Sequence, residues 1–532
     1  MTKPSARWVP LAAVIVITIV GCVLVVVTDW WWWWFIIIAA LVLSLLGIRN
    51  RFQKKHSILR NYPLMGYFRF GFERIRPEIQ QYFIETNTDG TPFDRETRSL
   101  VYQRAKLVNE DLPFGTQLDT REVGYEWINQ SLAPKTPADE PPTVPIGGPD
   151  CTKPYDMALL NVSAMSFGAL SSNAIRALNK GAAMGGFAHD TGEGGLSQYH
   201  QEFGGDLVWE LGTAYFGTRT KDGDFDAGIF REKAGMDQVK CVSIKLSQGA
   251  KPGLGGVMPA PKVTQEIADV RGVPVGVTCI SPPAHTQFST PVGLIEWVAE
   301  LREMSGGKPV GFKLCIGDKQ EFLAICKAML EVGTVADFII IDGGEGGTGA
   351  APLEFENHVG TPLTEGLIFA HNALVGSALR DKIRLGASGK VASGFDIVSR
   401  IAQGADYTNS ARAMMFAVGC IQSLRCHTNQ CPVGVATQDP RRSQALIPET
   451  KAVRVKNFQY ETVKEASRII ASIGLDGPGE LEPWMLHRRV AHDEVMNYCE
   501  LFEYLEIGEL LEGPRESWRE KWASANPARF GR

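Results

Sequence analysis

The chain has 532 residues, which is enough for a large barrel domain with further segments at both ends. Apolar residues make up 44% and charged residues 21%, so the chain can bury a sizeable core, while a net charge of −5 excludes the basic footprint of a nucleic-acid-binding protein. Apart from one cluster, the ten cysteines lie singly, which excludes a disulfide framework and fits a reducing compartment.

Two long uncharged segments stand at the start of the chain. Trp8–Thr28 has 21 residues and Trp30–Ile48 has 19, and each is long enough to cross a bilayer. The second opens with five tryptophans, which prefer the headgroup interface and so suit a turn at one membrane face. Lysines and arginines flank both ends of the pair, at positions 3, 7, 49, 51, 54, 55 and 60. The positive-inside rule therefore predicts that residues 1–48 form a two-span hairpin in the inner or plasma membrane, in contact with membrane lipid, with the rest of the chain in the cytoplasm.

Two other interpretations of these segments are weaker. A signal peptide would need a small-x-small cleavage site after the first segment, and a second span follows it instead. A buried hairpin in a soluble core is disfavoured because uncharged stretches of this length do not recur later in the sequence.

Three segments are predicted after the hairpin. Residues 49–150 mix aromatic residues, charges and short helical patterns, and form an approach segment expected to pack on the domain that follows. Residues 151–440 alternate short apolar runs with amphipathic stretches, the pattern of repeated βα units. Residues 441–532 form a C-terminal helical extension, with helices predicted over Lys451–Ile473 and Pro483–Glu509.

Eight candidate strands lie in the middle segment. They are Met157–Met165, Gly186–Thr191, Lys240–Ser247, Val273–Ser281, Pro309–Cys315, Asp337–Asp342, Ile383–Ala387 and Asp406–Ser410. Helical patterns follow most of them, at Asn173–Met184, Val263–Val270, Val292–Met304, Gln320–Val332, Thr364–Leu379 and Ser393–Gln403. Eight such units predict an α/β protein with a (β/α)8 TIM barrel, in which residues 195–238 form an insertion. A doubly wound open sheet is the alternative.

Glycine-rich loops follow many of these strands, where a barrel enzyme carries its active site. Glycine lets backbone amides approach a flat ring or a phosphate closely. The phosphate of a barrel ligand usually rests on the loops after strands seven and eight, which predicts Gly389 and the Ser410–Arg412 turn as phosphate contacts. Gly344, Gly346 and Gly349 also match G-x-G-x-x-G, but no clear helix follows, so a dinucleotide-binding fold is not predicted.

A cysteine cluster follows the last predicted strand. Cys420, Cys426 and Cys431 have the spacing C-x5-C-x4-C, and Pro432 comes directly after the third. This pattern indicates ligands of an iron–sulfur cluster, and three ligands suit three irons better than four. A Cys3His zinc site with His427 and plain buried thiols remain the alternatives.

Several of these motifs together resemble the FMN-binding synthase domain of glutamate synthase. They are TGEGG at 191–195, KLSQGAKPG at 245–253, ISPPAH at 280–285, DGGEGGTGAAP at 342–352 and CIQSLRCHTNQCPVGVATQ at 420–438. The resemblance spans about residues 150–475 and implies FMN and a 3Fe–4S cluster held by the three cysteines. It does not extend to the N-terminal glutaminase domain or the C-terminal β-helix of the full-length enzymes. Leu254 stands where those enzymes usually carry Glu, and GASGK at 386–390 replaces their acidic-Gly-Gly pattern.

The resemblance implies reductive amination of 2-oxoglutarate by ammonia, through 2-iminoglutarate, to glutamate. The residues expected to serve catalysis are Lys245, Gln248, Lys251, Glu193 and Ser281. Those expected to contact FMN are Met165, Ser166, Gln248, Lys313, Gly346, Gly347, Gly389, Ser410 and Arg412. Because no nicotinamide-binding domain is recognisable, the electron donor is expected to be another protein or a membrane carrier, and ferredoxin or a separate reductase subunit is the first expectation.

Three other functions remain open from the sequence. One is a related FMN and iron–sulfur oxidoreductase with a different substrate, for example one that forms N-alkylglutamates. The second is a membrane-tethered electron-transfer or assembly protein whose barrel no longer turns over. The third is a flavin-free binding module.

Overall fold

The computed structural model describes residues 6–531, which fall into two compact units, one up to Arg95 and one from Glu96. In the first unit lie the helices Ala6–Trp8 (3-10), Val9–Thr28, Trp33–Phe52, Ser57–Asn61 and Gly66–Ile79, and the π-helical turn Gln80–Ile84. The second unit contains a closed barrel and the elements around it.

The helices Val9–Thr28 and Trp33–Phe52 pack against each other in antiparallel fashion. Near one end of the pair Leu11 lies directly over Gly47, and midway the hydroxyls of Thr18 and Ser44 are 3.3 Å apart. Both helices are long and apolar enough to cross a membrane, with mean hydropathies of 3.0 and 1.8 over their most apolar stretches. The second helix begins three residues later than the predicted span, because Trp30, Trp31 and Trp32 form the turn.

Eight parallel strands close into the barrel, which confirms the predicted fold. In chain order they are Leu160–Val162, His189–Asp190, Leu207–Leu211, Val239–Lys245, Val310–Leu314, Phe338–Asp342, Arg384–Ser388 and Tyr407–Ser410. Each strand pairs with the next along the chain, and the eighth pairs with the first, where Thr408 lies opposite Leu160.

Helices surround the barrel and cover the outward side chains of its strands. Those in the barrel region are Ser172–Gly185, Gln198–Gln201, Ala227–Ala234, Gln265–Arg271, Pro291–Met304, Lys319–Val332, Leu353–His358, Leu363–Gly376, Gly394–Ala402 and Arg412–Val418. Arg95–Lys106 precedes the barrel, and Pro440–Ser443, Pro448–Ile473, Tyr498–Leu501, Glu509–Glu512 and Glu516–Ser524 follow it. Short 3-10 helices lie at Ala260–Lys262, Cys426–Thr428, Pro478–Glu480 and Pro483–Met485.

The prediction of an insertion at residues 195–238 was wrong. This region contains the third barrel strand, Leu207–Leu211, all of whose residues are buried. A five-residue run shows no clear alternation, and the glutamate inside it argues against a buried strand. The predicted strand Lys240–Ser247 is therefore the fourth barrel strand rather than the third.

The predicted strand Val273–Ser281 was also wrong as a barrel strand. Only Cys279–Ile280 is extended there, and it pairs antiparallel with Val257–Met258. This small hairpin belongs to the long excursion between the fourth and fifth barrel strands, so the true insertion lies one unit later than expected.

A second hairpin closes the amino-terminal end of the barrel. Thr143–Ile146 pairs antiparallel with Tyr155–Ala158, and Ile146 packs against Val208, Cys241 and Tyr407 in an apolar cluster. Because this end is filled by apolar side chains, only the opposite end, where the strands' carboxyl ends meet, is left for polar chemistry.

The C-terminal region combines one correct and one wrong prediction. The long helix Pro448–Ile473 forms as expected. The helix predicted over Pro483–Glu509 was wrong, because Leu486–Ala491 and Glu494–Asn497 form a β-hairpin that pairs with Glu126–Ile128. That pairing partner lies far away in the sequence, where a local pattern cannot reveal it.

Candidate active site

A layer of charged side chains fills the barrel near the carboxyl ends of its strands. Glu210 of the third strand and Lys313 of the fifth form an ion pair, with side chains only 1% and 5% exposed. Burial alone lowers the pKa of Lys313, but Glu210, Asp190 and Asp342 outweigh burial and raise the pKa above its ordinary value. The ammonium group of Lys313 therefore keeps its proton inside the barrel.

Two further carboxyl groups complete this layer. Asp190 accepts a hydrogen bond from the Gly192 amide at 2.9 Å through Oδ1, while its buried Oδ2 has no hydrogen-bond partner among the residues described. Burial and the nearby Glu210 raise the pKa of Asp190 to about 8, so this carboxyl group is protonated at neutral pH. Asp342 Oδ2 accepts from the Gly249 amide at 3.0 Å.

Glu193 and Lys245 form the next group, at the mouth of the barrel. Lys245 Nζ lies 2.9 Å from Glu193 Oε1 and donates to Gln248 Oε1 at 2.9 Å. Burial pushes the pKa of Glu193 up, but Lys245, with smaller contributions from Arg271 and Lys313, outweighs burial, and the net pKa is lowered. Glu193 is therefore an ionised carboxylate held beside a cation.

Lys251 belongs to the same group. Its side chain is buried, its Nζ donates to the Ala350 carbonyl at 2.9 Å, and it senses the charges of Glu193 and Lys245. Burial lowers the pKa of Lys251 from its ordinary value. The structure thus brings four of the five predicted catalytic residues together, although they come from two separate loops.

Ser281, the fifth predicted catalytic residue, is separated from Glu193 by Gly256, which contacts both residues. Its backbone amide donates to the Gly256 carbonyl at 2.8 Å, and the α-carbon of Gly256 lies directly against the Glu193 carboxylate. The residue is 3% exposed. Ser281 is therefore a neighbour of Glu193, at the end of the small hairpin in the excursion.

The glycine-rich loop Gly343–Gly349 packs against the loop after the fourth strand. A side chain at Gly249 would be driven into the Gly343 carbonyl oxygen, so only glycine allows this contact. Gly347 stacks on the Arg412 guanidinium, because a β-carbon built there would lie 3.1–3.2 Å from three atoms of the Arg412 side chain. Arg412 also donates to the Glu345 carbonyl at 3.3 Å.

Lys390 supplies a second cationic side chain near Arg412. Burial lowers its pKa, and the neighbouring Arg412 lowers it further. The loops after strands six, seven and eight therefore bring two cationic side chains near each other, one of them against the backbone of Gly347. This chemistry suits a phosphate group.

The remaining predicted FMN contacts occupy the ends of three strands. Gly389 follows the seventh strand and packs against Leu363. Ser410 ends the eighth strand, but its hydroxyl donates to the Val391 carbonyl at 2.7 Å and so is used within the protein. Met165 and Ser166 follow the first strand, where the side-chain oxygen of Ser166 lies 3.5 Å from Arg271 Nη2.

The three clustered cysteines lie near one another after the helix Arg412–Val418. Burial, with smaller contributions from the charges of Cys426 and Cys431, raises the pKa of the Cys420 thiol to about 12. Lys262, which is buried and donates to the Ala169 carbonyl at 2.9 Å, is close enough to sense Cys426 and Cys431. Within residues 6–531, however, no three His, Cys, Asp or Glu side chains are arranged to hold a metal ion.

Sequence reasoning missed three charged residues of this region. Glu210 was hidden in the supposed insertion, and Asp190 lies inside a predicted strand without any motif of its own. Arg271 ends a helix in the excursion, donates to the Phe167 carbonyl at 3.1 Å and stacks over Phe216 at 4.8 Å. Inward alternation along the strands could have indicated Asp190 and Glu210, since each would face the barrel interior.

Comparisons with known proteins agree with the motifs. The profile described as "Conserved region in glutamate synthase" matches residues 147–476. The glutamate synthase large subunit-like protein YerD of Bacillus subtilis is 37% identical over 472 residues, covering 81% of this chain and 89% of YerD. An archaeal-type glutamate synthase (NADPH) of Thermotoga neapolitana is 32% identical over 315 residues, covering 59% of each chain, so the match spans about three fifths of that enzyme.

Solved structures show a more distant likeness. A flavocytochrome b2 mutant with pyruvate bound has 13% identity and a TM-score of 0.39, covering 78% of this chain and 85% of that one. We draw no functional argument from a likeness at this level.

Proposed function

Because this chain belongs to the glutamate synthase family of oxidoreductases, we propose that it converts 2-oxoglutarate and ammonia to glutamate by reductive amination. The observation that carries the proposal is the cluster of Glu193, Lys245, Gln248 and Lys251 at the barrel mouth. Two buried lysines beside one carboxylate are suited to a substrate that carries two carboxylates and must meet an amine.

We propose FMN as the cofactor, because the residues present fit it. Arg412, which lies against the backbone of Gly347, and the neighbouring Lys390 suit its phosphate. The protonated Lys313 beneath the mouth suits the pyrimidine edge of the ring, where negative charge develops on reduction. When bound and reduced, FMN would supply the hydride that the imino carbon of 2-iminoglutarate accepts.

The side chains of the cluster have distinct tasks in this proposal. Lys245 and Lys251 bind the substrate carboxylates as point charges, and Gln248 and Ser281 orient them by hydrogen bonds. Glu193, which is ionised, accepts a hydrogen bond from the incoming ammonia and orients its nitrogen towards the keto carbon, which the ammonia attacks. Water then leaves that carbon as the imine forms. Burial of the lysines strengthens each of these contacts.

We also propose that Cys420, Cys426 and Cys431 hold a 3Fe–4S cluster, served by ferredoxin or a separate reductase subunit. The support is the mutual influence of their thiols and the buried cation of Lys262 beside two of them. Iron analysis after anaerobic purification tests the ligand set, with Cys426→Ser expected to lose iron and Cys499→Ser, at an exposed cysteine, expected to keep it. Full iron in Cys426→Ser would overturn the assignment.

The two apolar N-terminal helices are proposed as a membrane anchor for this enzyme. Their length, hydropathy and flanking cations support a two-span hairpin in the inner or plasma membrane, with the barrel in the cytoplasm. Resistance of the full-length protein to alkaline carbonate extraction from membranes is the expected result.

The reaction is tested with an anaerobic visible spectrum of the reduced protein. Addition of 2-oxoglutarate with ammonium is expected to reoxidise the flavin and release glutamate. Reoxidation only when methylamine replaces ammonium would show an N-alkylglutamate product instead, and no reoxidation by any keto acid would indicate a protein without this activity. Either of these two results contradicts the proposal.

A pair of lysine variants tests the substrate site. Lys245→Gln is expected to lose about 1.5–3 kcal/mol of transition-state stabilisation, which is roughly a ten- to a hundredfold loss in kcat/KM for 2-oxoglutarate. Lys240→Gln, on the same strand but paired with Asp206 and Asp237 at 3.7 and 3.6 Å outside the barrel, serves as the matched control. Equal kcat/KM values in the two variants would show that Lys245 does not bind the substrate.

A further inference from the structure

The helix Gly66–Ile79 carries an apolar face that its own unit leaves uncovered. Phe68, Phe72, Ile75 and Ile79 recur at intervals of three and four residues and therefore share one side of the helix. Phe68 is 60% exposed, Phe72 62% and Ile75 46%. Side chains this large are rarely left in water as a continuous stripe without a binding role.

The apolar surface continues into the next turn. Tyr82, Phe83 and Ile84 in the π-helical turn are 53%, 84% and 60% exposed. Residues 66–84 thus form one amphipathic segment, which we call the aromatic helix. Arg74 lies on its polar side, and Arg69 and Arg76 lie at the border of the apolar face.

Hydrogen bonds tie the start of the aromatic helix to the end of the second apolar helix. Asn50, which is 3% exposed, donates through Nδ2 to the Pro63 carbonyl at 2.7 Å and lies 3.1 Å from the Tyr67 hydroxyl. Leu59 packs against Gly66 at the same point. The aromatic helix therefore begins where the second membrane helix would leave the bilayer.

The charge of this region favours an anionic partner. Between positions 49 and 84 there are eight lysines and arginines and two acidic residues, a net charge of +6. Arg69 and Arg76 lie on the helix flank next to Phe72, since they follow it or precede it by three or four positions. Aromatic residues flanked by arginine are typical of helices that lie at a lipid interface.

We propose that the aromatic helix lies in the plane of the membrane, with its apolar face among the acyl chains and its arginines on anionic lipid headgroups. The inference rests on the membrane anchor of the proposed function and extends it from two spans to a third, surface-lying contact. A lipid surface is favoured over a protein partner because the hydrogen bonds of Asn50 hold the helix at the level of the bilayer surface, and because basic side chains match anionic headgroups.

The test uses full-length protein in vesicles of phosphatidylcholine with or without phosphatidylglycerol. A photo-crosslinking amino acid, p-benzoylphenylalanine, replaces Phe72 on the apolar face or, as the control, Arg74 on the far side of the same helix. We expect crosslinks to lipid from position 72 and few from position 74. The double variant Arg69→Gln/Arg76→Gln should reduce the ratio of docked to undocked helix about fivefold per arginine, but only in the anionic vesicles.

Three results would overturn the proposal. Equal lipid crosslinking from positions 72 and 74 would show that the helix has no lipid-facing side. Crosslinks from position 72 to protein rather than lipid would assign the face to a second copy or another partner. Unchanged docking in the double arginine variant would show that the two arginines do not bind anionic lipid headgroups. Carbonate extraction of the same vesicles separates these results from failure of the anchor, because only loss of the hairpin would release the protein.

Discussion

The buried ion pair between Lys313 and Glu210 allows the sharpest test of the site's architecture. Replacing Lys313 with methionine keeps the side chain's length and removes its charge. Glu210, Asp190 and Asp342 then face one another without that cation, and Glu210 and Asp190 are only 1% and 2% exposed. Breaking a buried ion pair in this way costs about 3–5 kcal/mol of folding stability.

The double variant Lys313→Met/Glu210→Gln isolates the pair from the rest of the layer. Once Glu210 is neutral, loss of the Lys313 cation leaves one buried carboxylate fewer without a partner. The double variant should therefore lose clearly less folding stability than the sum of the losses in the two single variants. We expect a coupling of at least about 2 kcal/mol from the double-mutant cycle. Lys240 lies on the outer side of the neighbouring strand and forms partly exposed ion pairs with Asp206 and Asp237. Lys240→Met should therefore lower the folding stability by less than about 1 kcal/mol.

The cost of Lys313→Met should also depend on pH. Without the cation, the buried carboxyl groups have folded pKa values raised above those of the unfolded chain, so stability falls as pH rises through that range. Thermal unfolding followed by near-ultraviolet circular dichroism, at about pH 5.5 and about pH 8, measures both effects. The reasoning is refuted if Lys313→Met is no more destabilising than Lys240→Met, or if its penalty is larger at the lower pH.

Three other predictions follow from single positions. Asp190→Asn imitates the neutral form of a carboxyl group whose pKa is raised to about 8. The wild type loses stability as pH rises towards 8 and Asp190 ionises, so the thermal midpoint of the variant should fall less than that of the wild type between about pH 5 and about pH 8.5. Parallel pH profiles of the two midpoints would contradict this. Gly249→Ala should displace the loop against the Gly343 carbonyl and release flavin, whereas Gly349→Ala, with open space around it, should retain the cofactor; equal flavin content would show that the contact is not needed. Gly47→Val should separate the two apolar helices and lower the thermal midpoint of the hairpin in detergent, and an unchanged midpoint would mean that they do not depend on close packing.

Much of the fold was predictable because its signals are local. Seven of the eight barrel strands were predicted from the sequence, six of them in their correct place in chain order and one, Lys240–Ser247, one place too early. The glycine loops and the three cysteines stand in short motifs whose chemistry depends on residue type and spacing. The long helix Pro448–Ile473 has an amphipathic period that needs no partner to be recognised.

The errors arose where a distant partner decides the local structure. Leu207–Leu211 is a strand although Glu210 interrupts its apolar run, because Lys313 neutralises that carboxylate from another strand. Residues 486–497 form a hairpin rather than a helix because Glu126–Ile128 supplies an edge for pairing. Neither partner can be recognised from the residues beside the segment.

The sequence by itself determined which residue types are available to this site: glycines for close backbone approach, lysines that can bind carboxylates and clustered cysteines. Only the tertiary structure decided which of them meet, since Lys245 contacts both Glu193 and Gln248, while the hydroxyl of Ser410 turns to the Val391 carbonyl. The physical reason is that residue type and spacing are properties of a short segment. Ion pairing inside a barrel depends on strand order and register, which are settled only when the whole sheet closes.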